Sequence, residues 1–375
     1  MNQKELGEIR RRFTPQRAAI SHIYGCYVNT AKNVVARFSA PVSLMDEDER
    51  ERWLLTLRGA LAGTLGKNLL AVPFSAQDVT AAEGKHRLLS DLRRTGLTDE
   101  ETRERFYKNI IANFEIEDTN YVILLADDVY DVPRRGKNGD ADGSDTVFHY
   151  ILCAVCPVKE MKRGLGYDHK DQSFHTTAIS HVVGAPALGF LFPSFDGRAA
   201  NLYAALYYSR DAGEIHPEFI DAAFGVTAPM SAKEQKDAFS ETLAGTLGDD
   251  CSFEVVQAVH GSLREKLAIH KESRDPEPLE LTPEEVGDVL TDSGVAPEKI
   301  QAFRKECAEK FGGDILPAVN LMDTGKFRLE TTDAKITVSP DAAGQIEVRV
   351  IDGRKYILIP AECGVELNGM NVKLP

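Results

Sequence analysis

The segments YVILLA (residues 121–126) and VFHYILCAVCPV (residues 147–158) decide the fold of this 375-residue chain. Both are nearly continuous apolar runs, a pattern typical of strands that are buried on both faces of a sheet. Between them lies RRGKNGDADGSD (residues 134–145), which is rich in glycine and aspartate and is predicted to be a flexible surface loop. The sequence therefore predicts a sheet that is covered on both sides.

Helical and strand patterns follow one another around these two segments. Strands are predicted at residues 22–29, 33–39, 69–74, 188–192 and 201–208, the last of which also fits a helix. Helices are predicted at residues 3–12, 46–64, 75–95 and 98–114. Strands alternate with helices at first and cluster later. This order favours an α+β (mixed α/β) class with a mixed N-terminal sheet over a doubly wound fold.

The pattern changes after about residue 213. Helical periodicity covers residues 231–247, 252–272, 282–293 and 297–311, and the last 50 residues turn to β at 327–330, 335–339, 345–351 and 354–360. Thr282, Pro283 and Glu285 form a capping box, and Asp352-Gly353 is a hairpin turn. We therefore expect a mixed α/β domain at 1–212, a helical region at 213–315 and a small β-rich region at 316–375.

Composition and charge limit the class of protein. The hydrophobic share of 43% and the net charge of -14 indicate a soluble, acidic, globular protein that repels bare nucleic acid and anionic lipid at long range. The most apolar region, residues 179–192, is interrupted by His181 and broken by Pro186, so no membrane span is predicted. Six scattered cysteines suggest reduced thiols and a cytoplasmic location.

Cys153 and Cys156 form a C-x-x-C pattern inside the second buried segment. Residues three apart on a strand point to opposite faces, and no second pair exists to complete a zinc site. We therefore interpret both cysteines as small core residues.

Three further patterns resemble metal or phosphate sites, and each departs from the known motif. Residues 63–68 (GTLGKN) follow a helix and lack the Ser or Thr of a phosphate loop. Asn138, Asp140 and Asp142 resemble the start of a calcium-binding loop, but the bidentate Glu that ends such a loop is missing. Histidines recur at a six-residue spacing that fits no common zinc motif: His169, His175 and His181. No metal and no cofactor is predicted.

Two polar segments are candidates for a ligand site. ADDVYDVP (residues 126–133) leaves the first buried strand, and residues 192–211 combine charged groups with tyrosines. Turn residues and surface ion pairs would give the same pattern. The candidate ligand-binding residues are Asp131, Asp196, Arg198, Tyr208 and Arg210.

The N-terminal segment is locally basic on an acidic protein. Its arginines either form internal ion pairs or contact nucleic-acid phosphates. Because Arg10, Arg11 and Arg12 are consecutive, they fan over about 200° of a helix, and at least two should face solvent. The candidate nucleic-acid contacts are Arg10, Arg11, Arg12 and Arg17.

Several strings resemble a bacterial family, domain of unknown function 4317, over essentially the whole chain. They include GCYVN (25–29), YILCAVCPVK (150–159), LGFLFPSFD (188–196) and IDGRKYILIP (351–360). This resemblance assigns no activity, cofactor or site residue.

In the order of its elements, and in ITVSPDAAG (336–344) and IEVRVIDGRKYILI (346–359), the chain also resembles the 37-kilodalton nucleoid-associated protein family. That resemblance implies association with DNA or a DNA-associated protein and carries over no residue. Two hypotheses follow. One is a nonenzymatic binding or adaptor protein, and the other is an enzyme that acts on a small polar substrate between segments 126–133 and 192–211.

Overall fold

The two buried segments form adjacent strands in the computed structural model. The structure describes residues 1–116, 118–135, 141–161, 164–168, 171–176, 180–361, 364–367 and 369–372. The contacts divide the chain into two units, one of residues 1–233 with 276–278 and one of residues 234–275 with 279–375.

The strands of the first unit belong mainly to one sheet. In chain order they are β1 (His22–Val28), β2 (Val34–Pro41), β3 (Leu69–Pro73), β4 (Asn120–Arg135), β5 (Ala141–Met161), β6 (Leu165–Asp168), β7 (Ser173–Thr176), β8 (Ser180–Val183), β9 (Leu188–Phe192), β10 (Ser194–Asp196), β11 (Ala199–Asn201) and β12 (Ala204–Ser209). The sheet has the order β2-β1-β4-β5-β9-β12-β3, and β8 pairs with β5. Every strand pair described in it is antiparallel.

Helices cover both faces of this sheet. They are α1 (Gln3–Arg10), α2 (Glu47–Gly59), α3 (Ala76–Thr80), α4 (Lys85–Arg94), α5 (Glu100–Asn113) and α6 (Pro217–Phe224). Side chains of α1 and α2 share a core with alternate residues of β4 and β5, while α4, α5 and α6 share a second core with the residues between them. Continuous apolar strands are needed because a strand between two layers buries both of its faces.

Cys153 and Cys156 illustrate this alternation. Cys153 belongs to the core under α4–α6 and Cys156 to the core under α1 and α2, and both are fully buried. Burial raises the pKa of the Cys153 thiol well above its ordinary value and that of Cys156 to about 12. The interpretation as core residues on opposite faces is confirmed.

The second unit combines a helical core with small hairpins. Its helices are α7 (Ala232–Leu247, which begins at the end of the first unit), α8 (Phe253–Ser273), α9 (Pro283–Asp292), α10 (Pro297–Phe311) and α11 (Ala318–Leu321). Its strands form antiparallel pairs: β13 (Glu280–Leu281) with β14 (Leu316–Pro317), β15 (Phe327–Glu330) with β16 (Lys335–Val338), β17 (Glu347–Ile351) with β18 (Arg354–Leu358), and β19 (Val365–Leu367) with β20 (Met370–Val372). Short 3-10 turns complete the described chain at Val42–Leu44, Gly248–Asp250 and Pro340–Gln345.

The predicted α+β class is confirmed, and residues 204–209 form a strand instead of the alternative helix. The loop predicted at residues 134–145 is partly wrong. The backbone pairing of β4 and β5 continues to Arg135 and Ala141, because cross-strand hydrogen bonds extend the hairpin beyond its apolar part. The three-part domain division stays a prediction. No described helix combines the length and the apolar character that a membrane crossing requires.

Candidate functional site

The predicted polar segments meet at one end of the central sheet, in the first unit. Asp128 lies on β4, Asp196 ends β10, and Arg198 occupies the tight turn between β10 and β11 with a φ of 61°. The side chain of Asp128 points to the face that α1 covers, because it continues the alternation of Leu124 and Ala126. Charged side chains therefore lie next to the apolar core on the same face of the sheet.

Asp128 is the centre of a buried ion pair. Arg12 donates two hydrogen bonds to its carboxylate, each 2.9 Å long, and the hydroxyl of Tyr150 donates a third at 2.8 Å. The side chain of Asp128 is only 2% exposed. The hydrogen bond to Asp128 raises the pKa of Arg12, and burial together with the nearby carboxylate raises the pKa of Tyr150 well above its usual value.

Glu8 of α1 binds a second set of donors next to this pair. Arg198 donates to its carboxylate at 2.7 Å, and the hydroxyl of Tyr130 donates at 2.6 Å. The guanidinium of Arg12 lies 4.9 Å from the centre of the Tyr130 ring, which connects the two sets. Burial and the hydrogen bond to Glu8 raise the pKa of Tyr130 to about 12. We call Glu8, Arg12, Asp128, Tyr130, Tyr150 and Arg198 the polar cluster.

Asp196 is also held by groups of the protein. Its carboxylate accepts hydrogen bonds from Ser194 at 2.9 Å and from Asn201 at 2.6 Å, and it pairs with the amino group of Met1. Burial acts to raise the pKa of Asp196, but these hydrogen bonds and the amino group outweigh it, so the pKa lies below its usual value. Asp196 is therefore anchored to its own turn and to the N-terminal segment.

The remaining candidate residues do not join this group. Asp131 is exposed on β4. Tyr208 is buried in the core, and Arg210 donates at 2.9 Å to the carbonyl of Pro186. Both lie next to the start of β9, where Tyr208 pairs with Gly189, whereas Asp196 follows the end of β9. Of the five candidates, only Arg198 thus belongs to the polar cluster, and Asp196, two residues before it, is held by other groups.

The N-terminal arginines are placed differently from the expectation. Arg10 donates to the carbonyl of Leu61 at 2.8 Å and to that of Gly63 at 2.9 Å, and Arg12 binds Asp128. Of the three, only Arg11 is exposed, whereas Arg10 and Arg12 are half-buried, so the expectation that two face solvent is wrong. The reason is that α1 ends at Arg10, and the chain then turns Arg12 inward.

Arg11 and Arg17 are exposed. Neither has an ion pair or side-chain hydrogen bond within the described part of the chain. They are the two members of the basic segment whose guanidinium groups face solvent freely.

The histidines do not assemble into a metal site among the described residues. The Nε2 of His175 lies 3.6 Å from a carboxylate oxygen of Asp171, and the ring centres of His181 and Tyr27 are 6.2 Å apart. His169 falls outside the described residues, as do Asn138 and Asp140 of the calcium-loop imitation. In the phosphate-loop imitation, the carbonyl of Gly63 accepts a hydrogen bond from Arg10.

The second unit contains an open pocket that the sequence analysis missed. Its volume is about 220 Å³, and it lies between α7, α8 and the segment that leads into β15. Lys236 and Ser240 line it from α7, and Phe253, Val256 and His260 line it from α8. These spacings of four, three and four place each set on one helix face. That periodicity is visible in the sequence, but no sequence pattern indicates that the two faces meet.

Three cations surround this pocket: Lys236, Lys326 and Arg328. All three are exposed, and none has an ion pair or side-chain hydrogen bond within the described residues. Asp323 is the single carboxylate in the lining, and one of its oxygens accepts a hydrogen bond from the backbone of Gly325 at 3.1 Å. We call this site the cationic pocket.

The molecule is thus an α+β protein of two units, with an internally paired polar cluster in the first and an open cationic pocket in the second. It belongs to the family described as "Domain of unknown function (DUF4317)", whose model matches residues 1–370. No curated protein and no solved structure matches the chain.

Proposed function

We propose that this chain is a nonenzymatic binding protein and that an anionic ligand occupies the cationic pocket. The observation that carries the proposal is a set of three cations around one cavity, none of which has an ion pair within the described residues, on a protein with a net charge of -14. On such a protein the general field repels anions, so a local cluster of positive charge provides the attraction that selects them.

The polar cluster also favours a binding protein over an enzyme. General acid–base catalysis requires a group that reaches the substrate with a proton to give or take. In the polar cluster, Asp128 and Glu8 already bind two donors each from the protein itself. The alternative, an enzyme acting on a small polar substrate there, would depend on the exposed Asp131.

Titration with inorganic phosphate tests the proposal. Binding to the full chain is measured by phosphorus NMR. We expect phosphate to bind in about 50 mM salt and to bind more weakly as salt is added. The double variant Lys236→Gln/Arg328→Gln should weaken binding by about ten-fold or more, since each removed charge costs on the order of 1 kcal/mol. Lys271→Gln, on the exposed C-terminal turn of α8, is the control and should leave binding unchanged.

Failure of phosphate and of organic anions alike to bind would overturn the proposed function. Binding that survives the double variant would show that the anion occupies another site. Turnover of a small polar substrate that is lost in Asp131→Asn would instead support the enzyme.

A second candidate function is nucleic-acid binding through Arg11 and Arg17. Both are exposed and have no ion pair or side-chain hydrogen bond within the described residues, which favours this function. The resemblance in organisation to nucleoid-associated proteins favours it as well. We expect the double variant Arg11→Gln/Arg17→Gln to lose any salt-sensitive affinity for duplex DNA, as measured by fluorescence anisotropy at about 50 mM salt. Arg105→Gln/Lys108→Gln, two exposed residues of α5, is the matched control. Absence of DNA binding by the unaltered chain at that salt would eliminate this candidate.

A cytoplasmic location is part of the proposal. It is supported by the free thiols at all described cysteines. Reducing compartments keep such groups unpaired.

A further inference from the structure

The walls of the cationic pocket are apolar. Phe253, Val256, Met322, Phe327 and Leu329 line it together with the charged residues. The rings of Phe253 and Phe327 stand at 87° to each other with their centres 6.1 Å apart, and the ring of His260 meets Phe327 at 74° and 5.2 Å. A flat group in this corner could lie against the face of one ring and the edge of another, which is the contact that aromatic groups prefer.

The volume of the pocket limits the part of a ligand that it can enclose. An apolar cavity of about 150 Å³ accommodates benzene, which has six non-hydrogen atoms. By the same ratio, 220 Å³ accommodates about nine. This is enough for one six-membered ring and one small anionic group, and too little for two fused rings with such a group.

We propose that the ligand of the cationic pocket is a small aromatic carboxylate or a similarly sized organic anion with one flat apolar group. Its ring lies in the corner that Phe253 and Phe327 form, and its anionic group meets Lys236, Lys326 and Arg328. This inference rests on the proposed function, because it specifies the ligand of the same site. A polar inorganic anion would leave the apolar walls in contact with water, whereas an organic anion covers walls and cations together.

Two lining residues set limits on the ligand. His260 is buried, and its Nε2 lies 3.1 Å from the carbonyl oxygen of Asp323, so the ring acts as a wall of the pocket. The carboxylate of Asp323 repels a second negative charge, which favours a monoanion over a polyanion. Asp323 therefore contributes selectivity at some cost in affinity.

A matched series of probes tests the inference on the full chain. Benzoate, acetate, benzyl alcohol and 1-naphthoate are titrated separately, and binding is followed by ligand-observed saturation-transfer NMR. We expect benzoate to bind at least about ten-fold more tightly than either acetate, which lacks the ring, or benzyl alcohol, which lacks the charge. Naphthoate should bind no more tightly than benzoate, because its second ring extends beyond the volume that the pocket encloses.

Variants assign the contacts. Val256→Phe should fill the pocket and abolish benzoate binding. Phe253→Ala should reduce the preference for benzoate over acetate while the far-ultraviolet circular dichroism stays unchanged. Asp323→Asn should strengthen benzoate binding by about two- to three-fold, opposite in sign to Lys236→Gln.

The outcomes distinguish the inferred class of ligand from the proposed function. If phosphate binds the pocket but benzoate binds no better than acetate, the inference is overturned and the proposed function stands. If benzyl alcohol binds as well as benzoate, the cations play no part and both fall. Equal binding of benzoate by the unaltered chain and by Val256→Phe would place the ligand elsewhere and overturn the inference.

Discussion

At the scale of single residues, the polar cluster shows how a buried face of the sheet accommodates charge. A carboxylate without partners is costly to bury, and Asp128 avoids this cost through three hydrogen bonds. Two of them come from Arg12, 116 residues away in the chain. The pair therefore fixes the path of the chain after α1 over the end of the sheet.

Removing one partner of this pair should strongly destabilise the first unit. Arg12→Gln leaves Asp128 buried without its cation, so we expect a loss of about 3–5 kcal/mol in the free energy of unfolding. Urea denaturation followed by circular dichroism measures it. In the double variant Arg12→Met/Asp128→Leu the loss should be smaller than in either single variant, because no charge is left unpaired.

Arg37→Gln provides the control. Arg37 pairs with Glu104, but its side chain is 46% exposed, so the loss should stay below about 1 kcal/mol. Equal effects of Arg12→Gln and Arg37→Gln would show that Asp128 does not depend on Arg12.

The buried thiols should be unreactive in the folded protein. Burial raises the pKa of Cys156 to about 12 and that of Cys26 to about 11, so both are protonated at pH 8. Only the thiolate reacts with a disulfide reagent. In a titration with such a reagent at pH 8, we expect the partly exposed Cys251 to react before the buried Cys26, Cys153, Cys156 and Cys307, which should react only after unfolding.

Raising the pH toward 11 should increase the reactivity of Cys26 before that of Cys156, because the pKa of Cys26 is the lower of the two.

Elemental analysis of the untagged protein should find no stoichiometric zinc. Rapid modification of Cys153 at pH 8, or one zinc ion per chain, would contradict the assignment of C-x-x-C to the core.

At the scale of elements, the turn between β17 and β18 illustrates how local chemistry fixes a hairpin. Asp352 and Gly353 have φ angles of 51° and 77°, the left-handed region that a two-residue hairpin turn of this type requires. The register around them pairs Ile351 with Arg354. The turn therefore sets which residues of the two strands face each other.

Gly353→Ala should weaken this hairpin, because an added Cβ disfavours positive φ by about 1–2 kcal/mol. Gly344→Ala is the matched control in the same unit. Its φ is not positive, and a Cβ added there meets no atom within 4 Å. Hydrogen exchange of the β17 and β18 amides is the measurement. Equal protection in both variants would mean that the turn does not limit the stability of the hairpin.

Helix ends follow the same local rules. The Oγ1 of Thr282 accepts a hydrogen bond from the backbone of Glu285, and the Glu285 carboxylate accepts one from the backbone of Thr282. The capping box expected from the sequence is therefore confirmed. It fixes the start of α9 directly after the joint at residues 273–281, which contains Pro276 and Pro278.

At the scale of the whole molecule, two sets of hydrophobic clusters stabilise the chain. Two large clusters cover the faces of the central sheet, and others belong to the helices and hairpins of the second unit. Each unit thus has an apolar core of its own, which is the usual condition for a separately stable domain.

Limited proteolysis should yield a stable fragment with a boundary between residues 210 and 282. Within this range, the segment between α6 and α7 contains Gly225 and Pro229, and the joint after α8 contains Pro276 and Pro278. Mass spectrometry of the fragments locates the cuts. Absence of any stable fragment with a boundary in this range would contradict both the predicted division at residue 212 and a separable second unit.

Sequence patterns determined the elements of this protein, because helix and strand periodicity and turn chemistry act over a few residues. The runs at 121–126 and 147–158 predicted the central strands, and Thr282 and Asp352-Gly353 predicted a helix start and a hairpin. Family membership was readable for a similar reason, since short strings along the whole chain carry it.

Only the tertiary structure decided which distant groups meet. No local pattern pairs Arg12 with Asp128 or Glu8 with Arg198, and none shows that Arg210 lies at the other end of the strands from Asp196. The cationic pocket likewise joins one face each of α7 and α8 to the segment before β15. These contacts join residues that are 63 to 190 positions apart, so they depend on how the layers pack. The hydrophobic effect that drives this packing is non-directional, so no local sequence pattern specifies which groups will meet.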